Sequence, residues 1–586
     1  MKDPQSIPTL FVESCDRDPN RTLAVVPIHQ NGNWDWQQIS AREALLETSG
    51  LARRLYSLGV DKGVPVAIVA ETSHLWSALD VAILSLGGIT VGIYPTLLGP
   101  DIAWQLRHAE VQILIVEDFV QYKKIEPELD ALENLLNVLS MKECDDCPVL
   151  TAAQPDPDFL RERISTLTPE HVATIVYTSG TTGEPKGVML KHGHFLANIA
   201  ASRAVLPIQR GERSIVFLPL AHALQRFAQY VGFVDDCEGW YAPSIKDLPA
   251  TIEAARPHVL ATVPRMLEKI RATILAKAAQ RGPVASNLLS WAISVGKTYR
   301  KHKYNGTKVP WRLKQQHTMA KRMVFDRIQE GLGGHIRLFV SGGAALSVEV
   351  ASWFEAIGID VREGWGLTET TAPATLNGKD NPRQGSVGQP IPGVELALAE
   401  DGEILVRGPG VFNGYLKNPQ ATAAAFTPGG FFRTGDIGSI DEDGFLYILD
   451  RKKEIIVTAG GKNIAPSPIE KHLEGGLLGQ VVLFGSERPF LVALIVPEED
   501  ALTDLATENN WPGGFKEWSQ HPDLQQQNSQ HVADRNAELP SFKTVKKFAI
   551  VDQLFSVDGG ELTATLKLRR RIIRQKYQSL IDALYE

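Results

Sequence analysis

Residues 177–187 read Tyr177-Thr178-Ser179-Gly180-Thr181-Thr182-Gly183-Glu184-Pro185-Lys186-Gly187. Gly180, Gly183 and Gly187 permit backbone shapes that turn N–H groups toward an anion. Five hydroxyls, on Tyr177, Thr178, Ser179, Thr181 and Thr182, stand among them, and Lys186 adds a cation. A polyphosphate is the ligand this chemistry suits. The spacing is not that of the NTPase P-loop, G-x-x-x-x-G-K-[ST]. A Gly/Ser/Thr run alone is an ordinary loop. This one is denser, and it follows the apolar run Val172–Val176, which reads as a buried strand.

Further segments carry reactive residue types. Ser341-Gly342-Gly343-Ala344-Ala345 follows a strand-like run, and its small residues let a flat ligand lie against backbone. Glu363-Gly364-Trp365-Gly366-Leu367-Thr368-Glu369 joins an aromatic ring to an acid, and a carboxylate is a fitting ligand for Mg²⁺ beside substrate phosphates. Phe217–His222 ends in a histidine; most isolated histidines are structural, but their pKa range suits a reactive site.

The elements positioning these segments follow from periodicity. Val64–Val69, Ile89–Tyr94, Val111–Val116, Ser214–Leu218, His258–Val263 and Ile336–Val340 read as strands, and 74–86 as a helix with a small, packable face. Such alternation predicts parallel strands joined by right-handed crossovers. Open α/β sheets bind ligands at strand ends, where 177–187 and 341–345 lie. Composition changes after Asp450. Arg451-Lys452-Lys453-Glu454 leads to a helix over 470–477, strands at 481–484 and 491–497, and a Gln/Asn-rich helical insertion over 505–535. The expected fold is α/β: a large N-terminal multi-layer domain with parallel sheets, 1–450, and a small α+β C-terminal domain, 451–586.

The chain has 586 residues, 44% hydrophobic and 22% charged, which is ordinary globular composition. A net charge of -8 argues against a nucleic-acid partner. Four cysteines are too few for a disulfide scaffold and suit a reducing cytoplasm. Cys144-x-x-Cys147, crowded by Glu143, Asp145 and Asp146, reads as a surface loop. The N-terminus lacks a signal-peptide pattern and no run reaches membrane-span length. Residues 297–322 carry nine Lys and Arg and no acid, with Tyr299, Tyr304 and Trp311 between them. That reads either as a solvated face or as a peripheral contact with anionic lipid at the inner membrane face.

The 177–187 segment resembles the signature loop of the adenylate-forming superfamily, which comprises acyl-CoA synthetases, luciferases and peptide-synthetase adenylation domains. Matches in family order run from about 170 to about 570 and are nearest the bacterial long-chain fatty acid–CoA ligases. The resemblance implies that fatty acid and ATP, with Mg²⁺, form acyl-AMP and pyrophosphate, and that CoA then takes the acyl group. It implies nucleotide contacts from Thr178, Ser179, Gly180, Thr181, Thr182, Gly183, Gly343, Ala344, Gly364, Trp365, Gly366 and Thr368. Trp365 would stack on adenine where tyrosine is commoner. Asp436, in Phe432-Arg433-Thr434-Gly435-Asp436, would bind the ribose diol with Arg451. Glu369 and Thr178 would hold Mg²⁺. Lys186, Lys567, His222 and Glu369 would be catalytic. Asp450 would be the hinge of a mobile small domain, and Gly460, Gly461 and Lys462 would line the CoA tunnel after it turns. A ligase loading a carrier-protein thiol and a non-catalytic acyl-nucleotide sensor remain alternatives, and a homodimer is compatible with the resemblance.

Overall fold

The computed structural model describes residues 4–30, 32–178, 185–563 and 567–586. Ser179, Gly180, Thr181, Thr182 and Gly183 therefore lie outside the described residues.

Two sheets form the large body. The first orders its strands Asn137–Ser140, Ile113–Val116, Pro65–Val69, Ile89–Ile93, Val172–Thr178 and Lys186–Lys191. All neighbours are parallel except the last pair, where Thr178 faces Lys186. The second has nine strands, with a parallel centre of Asp360–Trp365, Leu338–Ser341, Val259–Thr262, Arg213–Val216, Glu238–Tyr241 and Thr22–Gln30. Their near-continuous Val/Ile/Leu content suits strands covered on both faces. Helix His74–Ser85, capped by Ser73, is buried along nearly its whole length beneath them. The expected α/β class with parallel sheets is the observed one, and most strand ends fall within two residues of expectation.

A four-stranded antiparallel sheet, Glu395–Leu398, Glu403–Arg407, Phe432–Ile440 and Leu446–Arg451, follows. In its last pair Asp436 is opposite Arg451 and Ile437 opposite Asp450. Beyond it, strands Leu478–Phe484, Leu491–Pro497 and Val545–Ile550 carry helices on both faces. The insertion is helical, over Glu499–Glu508, Phe515–Ser519 and Pro522–Asn536.

Three expectations need correction. The helix placed at 470–477 runs Pro466–Leu473. Proline is tolerated in its first turn, and Gly475 and Gly476, both at positive φ, follow its end. Cys147 is not on a surface loop: its thiol is buried with Leu114 and Val116, as a small hydrophobe packs. The basic segment 297–322 is not a uniformly solvated face. It spans parts of two helices, Pro283–Tyr304 and Trp311–Ala320, and Arg300 pairs with Asp360 while Tyr304 hydrogen-bonds Glu355.

Candidate active site

The motifs meet because each begins where a strand ends. Thr178, Ser341 and Trp365 are the last residues of their strands, and Phe217–His222 follows Val216. Together with the Asp436–Arg451 ladder they line one cavity of about 2340 Å³. Thr178, Lys186, His222, Gly343, Ala344, Gly364, Trp365, Gly366, Thr368, Glu369, Asp436, Asp450, Arg451 and Lys567 all line it. Gly460, Gly461 and Lys462 do not. They form an exposed hairpin tip between Ile456–Val457 and Asn463–Ile464.

Backbone geometry explains two glycines. Gly343 sits at φ +82, the left-handed shape that glycine adopts freely, with Val263 Cγ1 4.0 Å from where a Cβ would stand. A Cβ on Gly366 would lie 1.8 Å from the Ala372 carbonyl oxygen, so no side chain fits there.

Asp436 is buried and doubly held. Arg451 Nε reaches Oδ1 at 2.8 Å, and the Trp365 indole N–H donates to Oδ2 at 2.8 Å. Burial pushes its carboxyl pKa up, against the pull of Arg451, Trp365 and Lys567. Lys567 keeps access to solvent along the cavity yet is densely surrounded by protein. Burial first, then the Arg451 cation, hold its pKa below the usual lysine value, while Asp436 raises it.

His222 caps helix Ala223–Val234: its Nδ1 accepts the Leu224 N–H at 3.1 Å. The neutral ring then carries its proton on Nε2. Burial and the nearby Lys567 cation lower its pKa to about 4, so it is neutral at physiological pH. Glu369 is buried, and its Oε1 accepts the Tyr415 hydroxyl at 3.0 Å. Burial raises its pKa, and Arg451 and Lys186 oppose this. Lys186 Nζ lies 4.7 Å from the Tyr415 ring centroid. Tyr415 thus touches two of the expected residues, although nothing in its local sequence marked it. A buried carboxylate near Thr178 and Lys186 is the hard-oxygen donor chemistry that Mg²⁺ takes when phosphates complete its shell.

Asp450 is also buried. Its carboxylate accepts the Arg451 N–H at 2.7 Å, the Ser467 hydroxyl at 2.9 Å and the Ser467 N–H at 2.8 Å. It ties the end of strand Leu446–Arg451 to the start of helix Pro466–Leu473.

A model of the AMP-binding enzymes matches residues 11–416, and a model of the AMP-binding enzyme C-terminal domain matches residues 453–586. The chain belongs to the AMP-binding enzyme family. It lies in the adenylate-forming superfamily, near the bacterial long-chain fatty acid–CoA ligases. It is 35% identical over 565 residues to the long-chain fatty acid–CoA ligase FadD15 of Mycobacterium tuberculosis, spanning 94% of this chain and 92% of that one. It is 29% identical over 568 residues to human long-chain fatty acid–CoA ligase 1, spanning 89% of this chain and 78% of that one. Its fold matches the adenylation domain of a carboxylate reductase from Mycobacterium chelonae at a TM-score of 0.74 and 21% identity, covering 99% of this chain and 91% of that one.

Proposed function

We propose that the protein is an ATP-dependent long-chain fatty acid–CoA ligase. The observation that carries this reading is the stretch of cavity wall along helix Ala223–Val234, which we take as an apolar arm for the acyl chain. Leu224, Ala228 and Gly232, four residues apart on one face, line it, and Gly239 lines it from strand Glu238–Tyr241. From His222 to Gly232 the helix axis advances ~15 Å at 1.5 Å per residue. An extended chain spans ~1.1–1.2 Å per bond, a third of the residue repeat, so about thirteen bonds fit alongside.

In this reading the fatty acid lies in that arm with its carboxylate near His222, whose Nε2–H donates to a carboxylate oxygen. Trp365 offers its face to adenine, and Asp436 accepts the ribose hydroxyls. Lys186 and Lys567 take up negative charge as the carboxylate attacks the α-phosphate, the carbon–oxygen–phosphorus link forms and pyrophosphate leaves. Glu369, with Thr178, would hold Mg²⁺, which supplies further charge neutralisation at the phosphates. Residues 451–586 would then turn about Asp450 and bring Gly460, Gly461 and Lys462 to the site. The CoA thiolate attacks the acyl carbonyl, forming the thioester and releasing AMP. Arg265, Lys269 and Arg569 on the cavity wall suit a polyanionic acceptor such as CoA.

AMP release that depends on CoA, measured in multiple turnovers across saturated acids of graded length, tests the reading. A rate rising toward long chains supports it. Activity confined to short or aromatic acids sinks the long-chain assignment, and a single-turnover burst of pyrophosphate with no CoA-dependent AMP release after it would point to another acceptor. No helix among the described residues is long and apolar enough to cross a membrane. We place the enzyme in the cytoplasm, with exposed Trp311 and the surrounding lysines and arginines meeting anionic lipid. Flotation with anionic vesicles at low salt checks this, and absence of binding there removes the membrane contact.

A further inference from the structure

We propose that Trp365 is a positioning residue for the ribose site: its indole N–H holds Asp436 in the orientation that accepts a vicinal diol, so one side chain sets both base stacking and sugar recognition. The inference rests on the nucleotide reading of the cavity. Trp365 ends strand Asp360–Trp365 and packs with Ala374, Ile404, Val406 and Leu446, so its ring is anchored on one side and borders the cavity on another. Its Nε1 is 2.8 Å from Asp436 Oδ2, and Arg451 Nε is 2.8 Å from Oδ1. The Asp436 backbone N–H is itself held by Thr434 Oγ1 at 3.1 Å. Each carboxylate oxygen has two acceptor sites. Among the described residues one on each is engaged, which leaves one on each, the number a vicinal diol needs.

The two partners of Asp436 are not equivalent. Arg451 is half exposed and adjoins Asp450, the proposed pivot. Trp365 belongs to the nine-stranded sheet of the large body. A rotation of the small domain that displaces Arg451 would leave the indole bond in place, keeping the carboxylate aligned on the sugar through both half-reactions. Phenylalanine and tyrosine have no ring N–H. The indole N–H is thus a donor that the stacking role alone does not require.

The test compares ATP with 2′-deoxy-ATP and 3′-deoxy-ATP by titration calorimetry on the full chain, without fatty acid or CoA. The unmodified protein should bind ATP more tightly than either deoxy form. Trp365→Phe keeps an aromatic face but loses the N–H. It should weaken ATP binding roughly 10- to 100-fold, the loss for a hydrogen bond to a charged group, and shrink the discrimination against the deoxy forms. Trp365→His, which retains a ring N–H, should recover part of that discrimination. In turnover, KM for ATP should rise more than kcat falls. Equal weakening of ATP and both deoxy nucleotides by Trp365→Phe would overturn the proposal and leave stacking alone. So would unchanged ATP affinity. If the unmodified protein binds no adenine nucleotide, the nucleotide reading itself is what fails.

Discussion

Removing the Lys567 ammonium should separate the two half-reactions. Its side chain shares the cavity with Asp436, Arg451 and His222, where the proposed reading puts the phosphate charge. Two unit charges 4 Å apart in surroundings of effective permittivity about 20 interact by roughly 4 kcal/mol. At 1.36 kcal/mol per decade that is about a thousandfold in rate. The loss measured for one preorganised donor, about 10²- to 10³-fold, brackets the same figure. Lys567→Ala should therefore cut pyrophosphate release in a single turnover by about 10²- to 10³-fold. Thioester formation from supplied acyl-adenylate and CoA should change little. The ammonium works only while protonated. Burial and Arg451 hold its pKa below 10.5, so adenylation should fall as pH rises through that lowered value. At saturating ATP, Arg451→Gln removes a repelling cation and should move this alkaline limb upward. Equal losses in both half-reactions, or an alkaline limb that ignores Arg451, would refute the placement of Lys567 at the phosphates.

Gly232→Leu puts a side chain into the apolar arm, where the glycine Cβ position meets only the Cys237 side chain at 3.6 Å. Activity on long acids should drop at least tenfold while shorter acids are spared, and a uniform loss across a chain-length series would show that the arm does not hold the chain. Burial raises the Glu363 carboxyl from its ordinary 4.5 to about 7. The fold therefore favours the protonated form, and stability falls as pH rises from about 4.5 to about 7 and stays lower above; Glu363→Gln should flatten that slope and be worth on the order of 3 kcal/mol at pH 8 in urea unfolding. Asp450→Pro fixes φ and removes an N–H at the proposed pivot. Adenylate formation should remain measurable while CoA thioester formation falls steeply, and a normal rate of acyl-CoA production would rule out rotation at this position.

Periodicity marked the parallel strands because covered strands are continuously apolar, and their motifs stood out because Gly, Ser and Thr cluster after them. What periodicity could not supply was pairing at a distance. Trp365 and Asp436 are 71 residues apart and meet only because two sheets pack together. Tyr415 carries no local signal, and its contacts with Glu369 and Lys186 depend on the tertiary fold. The Arg451–Asp436 pair was anticipated as two separate ribose contacts. Strand register explains the pair directly, since opposed residues on an antiparallel ladder bring their side chains together. Element boundaries slipped where two opposing signals overlapped: Pro466 and Pro468 look like breakers but occupy a first helical turn, which tolerates them.

The small body itself argues for a large rotation. Along strands Leu478–Phe484 and Leu491–Pro497, alternate residues feed two different cores. Val481, Leu483, Ala493 and Ile495 pack with Ile456, Ile464 and Ile469, while Val482, Phe484, Val492 and Leu494 pack with Leu562 and Ile573. A strand's successive side chains point to opposite faces. The hairpin bearing Gly460, Gly461 and Lys462 therefore lies over one face of this sheet, and Leu562 and Leu568, which flank Lys567 in sequence, over the other. Arg570 ties the two sides together through Glu454 and Glu470. With Lys567 lining the cavity and the hairpin exposed, we read this arrangement as the one that serves the proposed first half-reaction. Exchanging one for the other cannot be a loop adjustment, because a packed sheet stands between them. In the proposed reading the sheet turns over. Asp450 is well placed to control that turn, since its carboxylate bonds to Ser467 at the start of a helix on the hairpin's side of the sheet.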